Sequence, residues 1–136
     1  MQVHIDRMDH LGNGIGNISG KIIFVKGALP GETVDVIITK DKKSYMEGTI
    51  NSFIYKSTKR VEPFCKYFGI CGGCSLCHLN YENTLEYKKE RVKNILSKYD
   101  IPDINVIKNE NDLYYRNKIE LKIVGGKLGF YEKSTH

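Results

Sequence analysis

The feature that most limits this chain is a run of cysteines: all four lie in CKYFGICGGCSLCH, residues 65–78. Cys65, Cys71, Cys74 and Cys77 are separated by five, two and two residues. Two thiolates in a Cys-x2-Cys turn reach one metal or cluster without distorting the backbone. Gly72 and Gly73 leave room for backbone N–H groups to approach a sulfur. The stretch therefore reads as a metal site. Disulfides would need an oxidising compartment, and Met1 opens no charged-then-apolar leader. A buried cluster of free thiols would lack apolar neighbours among these glycines. Structural zinc suits the spacing, although four-cysteine zinc sites usually bring two knuckles from separate segments. A ferredoxin-like site would use Cys71, Cys74 and Cys77, but no downstream Cys-Pro partner follows.

At 136 residues the chain has room for one modest domain or two small ones. No apolar run approaches the roughly 18 residues of a membrane helix, so a soluble, cytoplasmic monomer with no membrane partner is expected. The net charge of +5 is unevenly spread. Residues 1–39 hold three basic against four acidic groups, whereas residues 40–60 hold six against two. By charge alone that basic stretch is either a solvated loop or a phosphate-contacting surface.

The first fifty-odd residues have strand periodicity. Residues 3–8 alternate, residues 21–25 form a β-branched and aromatic run, Val34, Val36 and Ile38 stand at period two, and a last strand is expected over 46–54. LGNGIGNISG (11–20) and GALPGE (27–32) read as glycine-rich turns. Gly12, Gly14 and Gly16 do not make a phosphate loop, since no helix with a Lys-Ser/Thr pair follows them. Several short strands with tight turns are best satisfied by a closed, OB-like barrel, because an open sheet would leave two bare edges.

Beyond the cysteines the period changes. Tyr81, Leu85, Val92, Leu96 and Tyr99 form a helical stripe behind an expected N-cap at Asn80, with Lys89, Glu90, Arg91 and Lys93 on a solvated face. A hairpin follows. Alternation over 115–124 and a Gly125-Gly126 turn set Ile123 opposite Leu128 and Leu121 opposite Phe130.

RVEPFCKYFGICGGCSLCHLNYENTLEYKKERV, residues 60–92, resembles the cluster-binding region of bacterial RNA uracil-5-methyltransferases. Pro63, Cys65, Cys71, Gly72, Gly73, Cys74, His78, Tyr81, Leu85 and Lys88 carry the likeness. Residues 11–16, Val25, Pro30-Gly31-Glu32, Val34 and DKKSY at 41–45 resemble the TRAM domain, a small RNA-binding barrel. The hairpin is similar to that family's Y-R-x-K strand and G-x-L-G-F-Y partner.

The resemblance implies a mainly β chain with one long helix (α+β). A TRAM OB-like barrel would occupy 1–60. A partial iron-sulfur central domain would occupy 61–136, with a cysteine loop, a helix over about 81–99 and a hairpin over about 113–132. It further implies a four-iron four-sulfur cluster, with zinc as the alternative, on Cys65, Cys71 and Cys74. The fourth ligand would be a cysteine beyond His136. Cys77, where the family carries a polar residue, is a spare thiol in the complete protein and the substitute ligand in its absence. RNA contacts fall to Lys42, Lys43, Tyr45, Lys59, Arg60, Arg116 and Lys118. The chain is expected to be the N-terminal part of a 23S rRNA uracil-C5-methyltransferase that uses S-adenosylmethionine in its full-length form only. The catalytic domain is absent, so this part is inactive alone. A tRNA-directed relative and a zinc-knuckle RNA-binding module are the alternatives.

Overall fold

The computed structural model describes residues 1–133 and Thr135. Its elements are β1 (Gln2–Met8), β2 (Gly14–Ile18), β3 (Lys21–Lys26), β4 (Thr33–Asp41), β5 (Tyr45–Tyr55), α1 (Tyr81–Ile95), β6 (Lys122–Val124) and β7 (Lys127–Gly129). The chain is mainly β with one helix, as its periodicity requires.

β1 to β5 close into a barrel in the order β1-β2-β3-β5-β4, which leaves no free edge. β5 runs parallel to β3 and antiparallel to β4. One strand can serve both neighbours because three register shifts in the β4–β5 ladder bend it around the barrel. Inward residues of β1, β3, β4 and β5 (Val3, Ile5, Ile23, Val25, Val34, Val36 and Met46) fill the core with Ala28 of the β3–β4 turn, and Ile18, Ile38, Ile50 and Phe53 are partly buried against them. This is the OB-like arrangement expected for short strands with tight turns.

One segment departs from expectation. Residues 14–18, within the glycine-rich stretch taken for a turn, are a strand paired with both β1 and β3. Its glycines answer to packing. A Cβ on Gly16 would sit 2.3 Å from the His4 carbonyl oxygen and 2.5 Å from Val3 Cγ1, and one on Gly14 would sit 2.8 Å from Ile5 Cγ2. Only glycine lets β1 and β2 approach so closely. The turn itself is short and follows at Ser19 and Gly20, both at positive φ, with Asn17 Oδ1 accepting from Gly20 N–H at 2.7 Å.

α1 begins where the sequence predicts. Asn80 caps it through Oδ1, which accepts from Asn83 N–H at 2.9 Å. It stops at Ile95 with Leu96 as its C-cap, short of residue 99, and buries no residue. The apolar stripe does not bury the helix, since Tyr81, Leu85 and Leu96 are only half-buried and Val92, like Tyr99 beyond the helix, is exposed. Instead Tyr87 Oη donates to the Asp9 carbonyl at 2.6 Å and Arg91 donates to the His10 carbonyl at 3.1 Å, so polar bonds hold the helix to the β1–β2 loop. Arg91 makes this bond from the exposed face expected for it. On the other side, Lys93 and Lys89 both reach Asp103, at 2.9 and 3.1 Å, and fasten the irregular segment after the helix.

The hairpin forms with Ile123 opposite Leu128, as predicted, but each strand is only three residues long. Residues 115–121 are not a strand, so the Leu121–Phe130 pair is not made. A two-stranded ribbon needs a packing partner to extend, and here Ile119, Ile123, Leu128 and Phe130 are all exposed.

Candidate nucleic-acid interface and cysteine loop

The cysteine loop has neither helix nor strand; backbone turns shape it. Phe68 N–H donates to the Cys65 carbonyl at 3.0 Å, while Ile70 and Cys71 N–H both donate to the Tyr67 carbonyl, at 3.1 and 2.9 Å. The segment after the hairpin then lies along the loop, with Gly72 N–H on the Tyr131 carbonyl at 2.9 Å and Lys133 N–H on the Ile70 carbonyl at 2.8 Å. A Cβ on Gly72 would stand 3.2 Å from that Tyr131 oxygen, a tight approach made by a neighbour about sixty residues away. Gly73 N–H points at Cys71 Sγ, 3.3 Å away. That is the sulfur contact for which the paired glycines leave room.

All four thiols are free. Burial first, then the charge of Cys77, pushes the Cys74 thiol up; Cys65 and Cys71 act in the same sense and Arg116 opposes them. Cys77, Cys65 and Cys71 thus lie within electrostatic reach of Cys74, and so does Arg116 from the segment ahead of the hairpin. As a donor set, several thiolates on one glycine-rich loop suit a thiophilic metal or a cluster. Among the described residues, no three His, Cys, Asp or Glu side chains converge as a metal-binding array.

Between loop and barrel sits a joint with no local sequence signature. Glu32, in the turn between β3 and β4, is fully buried. Its carboxylate accepts from Leu29 N–H at 2.8 Å, from Arg60 Nε at 2.6 Å and from Arg60 Nη2 at 2.8 Å. Nη2 also donates to the Gly27 carbonyl at 2.6 Å, and the guanidinium lies 4.8 Å from the Phe53 ring centre. Arg60 is therefore turned inward. Beside it, His78 is 1% exposed, packs on Phe68 with ring centres 5.0 Å apart, and has no partner for either ring nitrogen among the described residues. Burial, and then the Arg60 charge, push its pKa down to about 4, so it is neutral at pH 7. Val61 N–H on the His78 carbonyl and Asn80 N–H on the Lys59 carbonyl, both at 3.0 Å, complete the joint.

The remaining basic residues are distributed as follows. Lys42 and Lys43 stand exposed at the β4–β5 turn, closed by Lys42 N–H on the Tyr45 carbonyl at 2.9 Å, and neither makes an ion pair among the described residues. Tyr45 packs edge-on against Phe24, with ring centres 5.8 Å apart, which is barrel packing. Tyr55 is exposed. Lys59 is exposed; Arg116 lies over Tyr115, and Lys118 faces Glu120 at 3.6 Å. Lys40 is occupied by Glu47 at 3.1 Å. The expected fourth cysteine ligand beyond His136, and His136 itself, lie outside the described residues. No helix among them is long and apolar enough to cross a membrane.

The described residues thus form a closed five-stranded barrel with exposed lysines on one turn, followed by a thiol-rich loop. Residues 1–50 match the family model of the TRAM domain. Over nearly its whole length the chain is also a homologue of proteins named RNA methyltransferases. It is 42% identical over 142 residues to an RNA methyltransferase of Caldanaerobacter subterraneus, covering 99% of this chain and 31% of that protein. It is 36% identical over 140 residues to the 23S rRNA (uracil(1939)-C(5))-methyltransferase of Shewanella amazonensis, covering 96% and 32%. Among solved structures it is similar to the Pyrococcus abyssi tRNA (uracil-54, C5)-methyltransferase in complex with S-adenosyl-L-homocysteine. There the TM-score is 0.59 at 27% identity, over 94% of this chain and 28% of that one. The chain spans about a third of the length of the curated relatives it matches.

Proposed function

We propose that this chain is the RNA-binding and cluster-bearing N-terminal part of an S-adenosylmethionine-dependent RNA uracil-C5-methyltransferase. Residues 1–60 would act as the barrel and 61–136 as the cysteine-bearing domain. The observation that carries the reading is that similarity to RNA methyltransferases runs through barrel, cysteine loop and hairpin alike, over 96–99% of the chain. A zinc-knuckle module standing alone would not need that continuity. Methyl transfer belongs to the part of such an enzyme that this chain does not include, so the chain alone should neither bind S-adenosylmethionine nor methylate RNA. Ribosomal RNA is the substrate proposed, because the similar curated protein whose name specifies its RNA is a 23S rRNA enzyme, at 36% identity. A cytoplasmic monomer fits that role.

Cys65, Cys71 and Cys74 would hold a four-iron four-sulfur cluster with a cysteine further along the chain, leaving Cys77 as the spare thiol. Such a group supplies a covalent tie between remote segments. This chain's own part is to present the sulfurs, with the Gly73 N–H aimed at Cys71 Sγ. Lys42, Lys43 and Lys59 are the lysines open to phosphate; Arg116, within electrostatic reach of Cys74, and the exposed Lys118 would add to them. Tyr45 serves packing first. Arg60, spent on Glu32 and Gly27, is better read as the residue that fixes the loop on the barrel.

The test has two arms. RNA affinity should fall with added salt, and Lys42→Ala with Lys43→Ala should reduce both affinity and the salt slope. Affinity indifferent to salt and to both changes refutes the RNA face. Anaerobically isolated protein should contain iron and sulfide with a broad visible absorption; stoichiometric zinc in a colourless sample refutes the cluster in favour of the zinc module.

A further inference from the structure

The cysteine loop displays large apolar side chains that neither the barrel nor a metal site uses. Phe64 is 72% exposed, Tyr67 56% and Ile70 58%. All three lie within seven residues of one loop. A soluble protein seldom gathers aromatic surface in this way without a partner. The display is held in place, since the Tyr67 carbonyl accepts from both Ile70 and Cys71 N–H, and Lys66 Nζ lies 5.0 Å from the centre of the Tyr67 ring.

We infer that Phe64 and Tyr67 form a stacking platform for unpaired RNA bases, in the same stretch as the exposed Lys59 and Lys66. The inference rests on the proposed RNA-binding reading and deepens it by naming the form of RNA that the loop takes. Charge selects this occupant over a protein surface. With Arg60 neutralised by Glu32, residues 56–70 still carry Lys56, Lys59 and Lys66 against the single acid Glu62, and Lys59 and Lys66 make no ion pair among the described residues. Exposed aromatic faces set among free lysines match the two halves of a single-stranded nucleic acid, whose bases stack and whose phosphates are neutralised. Arg60, turned inward, fastens the near end of the loop to the barrel. In a duplex the base faces are covered, so the platform has nothing to grip.

The experiment uses the full chain, isolated anaerobically, with a single-stranded oligouridylate carrying one 2-aminopurine and an RNA duplex of the same length. Phe64→Ala with Tyr67→Ala should weaken the single strand by about 5- to 150-fold for each stacked base lost. It should abolish the quenching of 2-aminopurine on binding, and leave both duplex affinity and the single-strand salt slope unchanged. Phe64→Tyr with Tyr67→Phe should restore binding, because an aromatic face is all that stacking needs. Unchanged single-strand affinity in the alanine variant, while Lys42→Ala and Lys43→Ala still weaken binding, overturns the platform and leaves the RNA reading intact. If none of the variants, lysine or aromatic, alters RNA binding, both fail together. Equal losses for single strand and duplex would mark a damaged loop and overturn the platform. So would loss of self-association in the alanine variant at unchanged RNA affinity, which would give the patch to a protein surface.

Discussion

Replacing Arg60 by methionine strands a carboxylate inside the protein. Glu32 is fully buried and the Arg60 side chain 17% exposed, so solvent screens the pair little. At a charge separation of about 4 Å and an effective dielectric of about 20 their attraction is on the order of 4 kcal/mol, most of it offset by desolvation of both groups. The net value of the pair is therefore small, but the cost of breaking it is not. In the Arg60→Met variant, Glu32 keeps Leu29 N–H at 2.8 Å and a longer contact from Ser57 N–H at 3.4 Å, and loses both guanidinium bonds. A loss of about 3–5 kcal/mol is expected, a large part of the roughly 5–15 kcal/mol that holds an ordinary domain together. Adding Glu32→Gln should recover about 2 kcal/mol, because a neutral amide can still accept from Leu29 N–H and leaves no stranded charge. Urea midpoints for the wild type, both single variants and the double variant, taken at about 0.15 and 1 M salt, close the cycle; a buried pair should be nearly indifferent to salt. A loss under about 1 kcal/mol for Arg60→Met would refute the reasoning, as would a double variant no more stable than Arg60→Met alone.

Gly16→Ala should lower the urea midpoint by the equivalent of about 1–3 kcal/mol, because its Cβ collides with the backbone of β1; a tolerated alanine would mean that the strands part freely. Asn80→Ala should cost about 1 kcal/mol and speed amide exchange in the first turn of α1, where Asn83 N–H loses its acceptor; unchanged exchange contradicts the cap. Hydrogen bonds from Lys93, then Lys89, hold the Asp103 carboxyl down to about 2. Its depressed folded-state value means that its contribution is complete above the ordinary 3.8 and is lost as pH falls from there through about 2. An NMR titration should show the Asp103 midpoint moving up in Lys93→Met, and an unmoved midpoint refutes the bridge.

Much of this architecture could be read from neighbouring residues, because the forces that form it act over a few positions. Alternation in β1, β3, β4 and β5 marks which residues face inward; a polar residue ahead of a helical period marks Asn80 as the cap; a Gly-Gly pair sets Ile123 across from Leu128. The cysteine spacing likewise announces a thiol-rich loop. Other features depend on pairs remote along the chain, and no local pattern encodes them. Gly14 and Gly16 read as turn residues, yet only the approach of β1 shows why a strand needs them. Arg60 read as one more cation in a basic stretch until folding set a buried carboxylate 28 residues away against it. Tyr87 and Arg91, 78 and 81 residues from their acceptors, hold the helix in place of its apolar stripe. Gly72 is constrained by a carbonyl contributed from Tyr131. Periodicity specifies which face of an element is apolar, but which face is used depends on what the rest of the chain places beside it, and that is decided only when the elements pack.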